Sequence, residues 1–162
     1  MSAPAIGPDL ALIGYELVAS AEACRCSVCA ALDLRYDVDA IAARPDERPL
    51  FIAYRAQPVY DYRTITVRWA NDRGNEDVQL AKLLSLRSRA DLYVQGYPSG
   101  VAYATADDLR TGFTTGRTKV CSGHRAWLRG DDGQKLVVAC PDCAGVVYVE
   151  RDEDDPFKDL VW

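Results

Sequence analysis

The chain lacks a long apolar run: nowhere do its 162 residues approach the ~20 consecutive apolar positions of a membrane-spanning helix. Residues 1–14 carry no basic side chain, and no continuous hydrophobic stretch there ends in a small-residue cleavage site. A secretory signal is therefore not expected, and a reducing, cytoplasmic setting is. Histidine is almost missing, with His124 alone, and no HExxH-like or HxE-like pattern accompanies it. A His-based triad or an open hydrolytic zinc site is thus excluded from expectation. P-loop, GxGxxG and GxSxG signatures are absent too, so no catalytic residue is assigned.

What is present is an ordinary globular composition, 49% hydrophobic and 27% charged. The formal charge of −5 is unevenly spread. Six acids against two bases fall in 150–159, while 110–129 holds Arg110, Arg117, Lys119, Arg125 and Arg129 and no acid. Arg117, Lys119, Arg125 and Arg129, with Phe113 and Trp127 nearby, point to a nucleic-acid backbone with an aromatic ring stacking on a base. The acidic run leading to Phe157, Leu160 and Trp162 offers a protein-docking tail through residues 150–162, or else a segment that folds back on the chain's own core.

Six cysteines in a reducing compartment read as metal ligands or redox thiols rather than as three disulfides. Cys121-Ser-Gly-His124 and Cys140-Pro-Asp-Cys143 are two pairs of the spacing that lets both members face one tetrahedral ion, and Gly123 and Pro141 suit sharp turns. Over 118–150 this layout, with strand-like flanks at 119–120, 126–128, 136–139 and 146–149, resembles a zinc ribbon. His124 stands where most ribbons carry a fourth cysteine. The resemblance implies one closed, structural Zn²⁺ held by Cys121, His124, Cys140 and Cys143.

Cys24-Arg-Cys26-Ser-Val-Cys29 leaves three readings open. These thiols hold a second ion with a carboxylate or water, or Cys26 and Cys29 join a downstream knuckle, or they are buried or redox-active.

Local patterning predicts a helix from Pro8 to about Ala23, capped by Asp9, with Leu10, Ile13, Leu17 and Val18 on its apolar face. Strands are expected at 32–38, 50–55, 64–69, 90–97 and 101–104. A helix capped by Asn75 should bury Leu80, Leu83, Leu84 and Leu86. Thr105, with Asp108 three residues on, starts another helix ending near Gly112, and 111–118 is a Thr/Gly loop. The fold class expected is α+β or α/β: a small mixed sheet with flanking helices over 1–117, a β-hairpin zinc-ribbon module over 118–150, and a tail over 151–162.

The strand–helix–strand order across 61–112 resembles the core of PD-(D/E)XK nucleases, whose first strand carries an acid and a lysine two positions apart. Thr66 and Arg68 occupy those positions here. The resemblance implies a nuclease-like fold without the carboxylate that Mg²⁺ binding needs, so activity would require a rearranged acid set drawn from Asp37, Asp39 or Asp61.

Overall fold

The computed structural model describes residues 4–20, 26–28, 31, 36–58, 63–70, 79–117 and 135–151. They form a mixed α/β fold. In chain order the elements are α1 (Ile6–Leu12), β1 (Glu16–Ser20), β2 (Ala40–Ala43), β3 (Leu50–Ala56), β4 (Ile65–Ala70), α2 (Gln79–Leu84), β5 (Leu92–Gly96), β6 (Gly100–Thr105), α3 (Ala106–Thr114), β7 (Lys135–Ala139) and β8 (Val147–Glu150). Six strands make the main sheet, in the order β1-β2-β3-β5-β6-β8, and β4 pairs with β7 in a second, two-stranded sheet. Within the main sheet only β3 and β5 run parallel. Such a pair requires a long crossover, which β4 and α2 supply.

The period of two in the strands sorts side chains onto two faces. Leu92 and Val94 of β5, Ile52 of β3 and Val101 of β6 pack with Leu10 and Ile13 of α1. Ala53, Tyr93, Ala102 and Ala104 point the other way. They meet Ile65 and Val67 of β4, Leu83 of α2, Leu109 of α3 and the segment around Cys140. The sheet is thus a middle layer, with α1 on one side and α2, α3 and the β4–β7 pair on the other. No helix among the described residues is long and apolar enough to cross a membrane.

The N-terminal helix is shorter than its spacing predicts. α1 stops at Leu12, and the chain turns at Gly14, whose φ of +88° is open to glycine. Arg44 donates to the carbonyls of Ile13 and Gly14 there, and its guanidinium lies 3.9 Å from the Tyr15 ring centroid. Residues 16–20 then extend as β1, because pairing with β2 satisfies their backbone across the sheet. Val18, expected in the apolar helix face, is exposed. Asp9 is not a cap either: it lies inside α1 and is buried.

At α2, Leu83 is buried and Leu80 packs beside it, whereas Leu84 and Leu86 are exposed. The helix ends after one and a half turns, which leaves room for only one buried stripe. The helix at Thr105 forms as the pattern predicts: the Asp108 N–H donates to Thr105 Oγ1 at 3.1 Å. It runs on to Thr114, so the first part of the expected Thr/Gly loop is helical.

β7 and β8 are not the two arms of one hairpin. β7 places Val137 and Val138 against Val67 and Thr66 of β4, and β8 extends the main sheet beside β6. Each finds a more apolar partner strand than the other could offer. The expected strand at 32–38 and the cap at Asn75 fall mainly on residues outside those described.

Candidate metal centre and polar clusters

β7 delivers Cys140 to the end of the β4–β7 pair, and the turn Pro141-Asp142 returns the chain to Cys143. The Cys143 and Ala144 N–H groups both donate to the Cys140 carbonyl at 3.2 Å, which closes the turn. Cys140 N–H points at Cys143 Sγ at 3.4 Å, and the two sulfurs are 3.5 Å apart. A disulfide would bring them to about 2.05 Å; two thiolates on one tetrahedral Zn²⁺, each at about 2.3 Å, stand roughly 3.8 Å apart. The pair is spaced for sharing an ion.

Two residues on, Gly145 has φ +50°. A Cβ there would meet the Asp108 carboxyl at 2.8 Å, so glycine lets the knuckle close against α3. Both cysteines are buried, and they belong to the main core cluster with Ala139, Ala144, Val146 and Leu109. Metal bound here would therefore be bound by the core of the fold.

Cys121 and His124, the expected partners, lie outside the described residues, as do Cys29, Lys119, Arg125 and Arg129. Cys26 is exposed, and Arg117 is exposed just beyond α3. Among the described residues no group of three or more His, Cys, Asp or Glu side chains stands together around a metal position.

The strand carrying Thr66 and Arg68 lies in the two-stranded sheet, not beside β5 in the main one. Thr66 is a fastener. Its N–H and hydroxyl donate to Gln95 Oε1 at 2.9 and 3.0 Å, and Arg55 Nη1 donates to its Oγ1 at 3.0 Å. Gln95 Nε2 donates to the Tyr97 hydroxyl, which donates in turn to the Thr64 carbonyl at 2.7 Å. Burial pushes the Tyr97 hydroxyl up to about 12, so it remains a donor. This chain of bonds pins β4 to the sheet and fixes which end of the Gln95 amide faces which strand. Arg68 is exposed, and its N–H reaches Gln79 Oε1 at 3.4 Å.

A second polar cluster gathers on the same face. Asp37 sits in the left-handed region at φ +59° and accepts from the Tyr93 hydroxyl at 3.1 Å. Burial raises its carboxyl above the ordinary value, partly offset by hydrogen bonds from Gln79 and Tyr93 and by the charges of Lys82 and Arg55. Asp39 is used differently: its Oδ2 accepts the Tyr54 N–H at 2.7 Å. Asp61 lies outside the described residues.

One buried ion pair has no signal in the residue pattern. Arg151 Nη2 meets Asp9 Oδ1 at 2.5 Å, with both side chains almost fully enclosed. Tyr54 donates to Asp9 Oδ2 at 2.5 Å, and its hydroxyl is held well above its ordinary value by burial first and then by Asp9. Arg151 also donates to the Tyr97 carbonyl at 3.0 and 3.1 Å. Asp9 Oδ1 has the ion pair but no well-aligned hydrogen bond. The first residue of the expected acidic tail is thus bolted to α1.

Compared with known protein families, curated proteins and solved structures, the chain matches none.

Proposed function

We propose that this chain is a zinc-stapled, non-catalytic factor that associates with nucleic acid or assists assembly. The observation that carries the reading is the Cys140–Cys143 pair: two buried thiols 3.5 Å apart in a closed turn, spaced for one tetrahedral ion. In the proposal Cys121 and His124 complete the shell, and the ion is structural because four protein ligands leave no open position. The basic stretch Arg117, Lys119, Arg125 and Arg129 brackets Cys121 and His124 in sequence, which places positive charge next to the staple for phosphate contacts.

Elemental analysis of the purified protein and three variants tests this. One zinc per chain, lost in Cys140→Ser and Cys121→Ser but kept in Cys26→Ser, fits a single staple. Two per chain, with one lost in Cys26→Ser, adds a second site at the N-terminal cysteines. No zinc in the wild type sinks the proposal.

One observation favours a second reading, metal-dependent cleavage of nucleic acid. In the main sheet the parallel pair β3 and β5 is joined through α2, so a strand–helix–strand order recurs one strand earlier than Thr66. The same-face positions two apart on β3, beside Asp37, are Ala53 and Arg55. With alanine at the acid's position, Asp37 would have to supply the carboxylate. This reading expects Mg²⁺- or Mn²⁺-dependent cleavage that Asp37→Ala abolishes; intact substrate with either metal rules it out.

A further inference from the structure

At the end of the sheet where β3 and β5 begin, three chain segments are tied together by the backbone. Arg89 N–H donates to the Tyr36 carbonyl at 2.8 Å, and Asp91 N–H donates to the Phe51 carbonyl at 2.8 Å. Phe51 N–H returns a bond to Asp91 Oδ2 at 2.9 Å, and Arg48 reaches Asp91 Oδ1 at 3.6 Å. The surface so assembled carries Tyr36, Phe51 and Leu86 with Arg48, Arg87 and Arg89, all exposed. Its acids are Asp91, occupied by the bonds just given, and Asp46 and Glu47 in the turn that carries Arg48.

Leu86 is the telling residue. It follows α2 with φ +63°, a conformation in which leucine is strained and where glycine or asparagine ordinarily ends a helix. It is also 62% exposed, so burial does not compensate for the strain. A strained leucine held out to solvent beside two arginines is a mark of use.

We infer that this surface, formed by Tyr36, Phe51 and Leu86 with Arg48, Arg87 and Arg89, docks single-stranded nucleic acid. The inference rests on the nucleic-acid reading above and gives it a face other than residues 117–129. Each component has its role. Guanidinium groups contact successive phosphates, while exposed ring and aliphatic surface gives unpaired bases something to stack on. A duplex keeps its base faces covered and offers only phosphates. A protein partner would have to bury three guanidinium groups beside the apolar side chains, whereas interface cores are depleted of charge.

Fluorescence anisotropy with labelled oligodeoxythymidylate and oligouridylate tests the inference on the full chain. Tyr36→Ala should weaken binding by about tenfold, and Tyr36→Phe should restore it, since stacking needs the ring and not the hydroxyl. Arg87→Ala/Arg89→Ala should lower the steepness of the logarithmic salt dependence by about 1.4, two phosphate contacts on a single strand. Duplex of the same length should bind more weakly.

Unchanged binding by both variants, with loss in Arg117→Ala, would overturn this face while leaving nucleic-acid association standing. No binding of the wild type to either oligonucleotide would overturn both. Equal affinity for polyglutamate would show a charge-only surface and also overturn the inference. All the arginine changes are at exposed positions, and matching thermal melts verify that each variant folds.

Discussion

Arg151→Met is expected to be among the most damaging single changes outside the apolar core. It removes one half of an ion pair 2.5 Å long whose side chains are 8% and 0% exposed. The Tyr97 and Gly100 carbonyls that Arg151 bonds keep each other's backbone N–H groups, so the loss falls on Asp9. That carboxylate would be left in the interior with only the Tyr54 hydroxyl. Breaking a buried pair from one side costs about 3–5 kcal/mol. A domain of this size is stable by about 5–15 kcal/mol in all. At roughly 2–4 °C per kcal/mol, the melting temperature should fall by about 6–20 °C. Asp9→Leu alone should cost a similar amount, since it strands the guanidinium. The double variant Asp9→Leu/Arg151→Met leaves no unpaired charge and should recover much of the loss, a coupling of about 2 kcal/mol or more. Chemical denaturation of the four proteins gives the cycle. A cost below about 1 kcal/mol for Arg151→Met, or a double variant equal to the sum of the singles, would refute the reasoning. Gly96 supplies a check from the other side: a Cβ there would overlap Asp9 Oδ2, so Gly96→Ala should destabilise the wild type and do less harm once Asp9 is shortened to alanine.

Leu86→Gly should raise stability by about 0.5–1 kcal/mol, because relief of the left-handed strain outweighs the extra unfolded-state freedom of glycine; a thermal melt checks it. Asp37→Asn should stabilise the protein at neutral pH. A carboxyl whose folded-state value is raised binds its proton more readily in the folded chain, so its unfavourable contribution is absent at low pH and develops as pH rises through that value. Melts across pH should show the gap between variant and wild type closing as the pH falls below the ordinary aspartate value. Tyr97→Phe removes the donor to the Thr64 carbonyl and a partner of Gln95, and should cost about 1–3 kcal/mol by urea unfolding. A zinc chelator should lower the melting temperature of the wild type and leave Cys143→Ser unmoved, because the thiols lie in the main core.

Much of the sheet is legible in the amino-acid sequence alone. Alternation and β-branched runs locate β3, β4, β5 and β6, and Thr105 with Asp108 announces α3. Pairing is not legible. Nothing local says that β3 should pass over β4 to lie parallel to β5, or that β7 should choose β4, because those choices are made by burial across the sheet. Spacing overextends the N-terminal helix because Leu10, Ile13, Leu17 and Val18 fit a helical stripe as well as they fit a helix, a turn and an edge strand. Gly14 is the only break between them. The Asp9–Arg151 pair joins opposite ends of the chain, and an aspartate after a proline looks like a cap wherever it sits. Gln95 stands in an otherwise apolar strand, where only the presence of Thr66 and Tyr97 explains it. Of the candidate metal centre, spacing identifies the Cys140–Cys143 turn; it does not reveal that the thiols belong to the same core as Leu83 and Leu109.

The most direct test of the central claim is X-ray absorption at the zinc edge on the protein as purified. The account predicts one ion with three sulfur ligands at about 2.3 Å and one nitrogen at about 2.0–2.1 Å. An absence of zinc, or a shell of oxygen and nitrogen without sulfur, would contradict it.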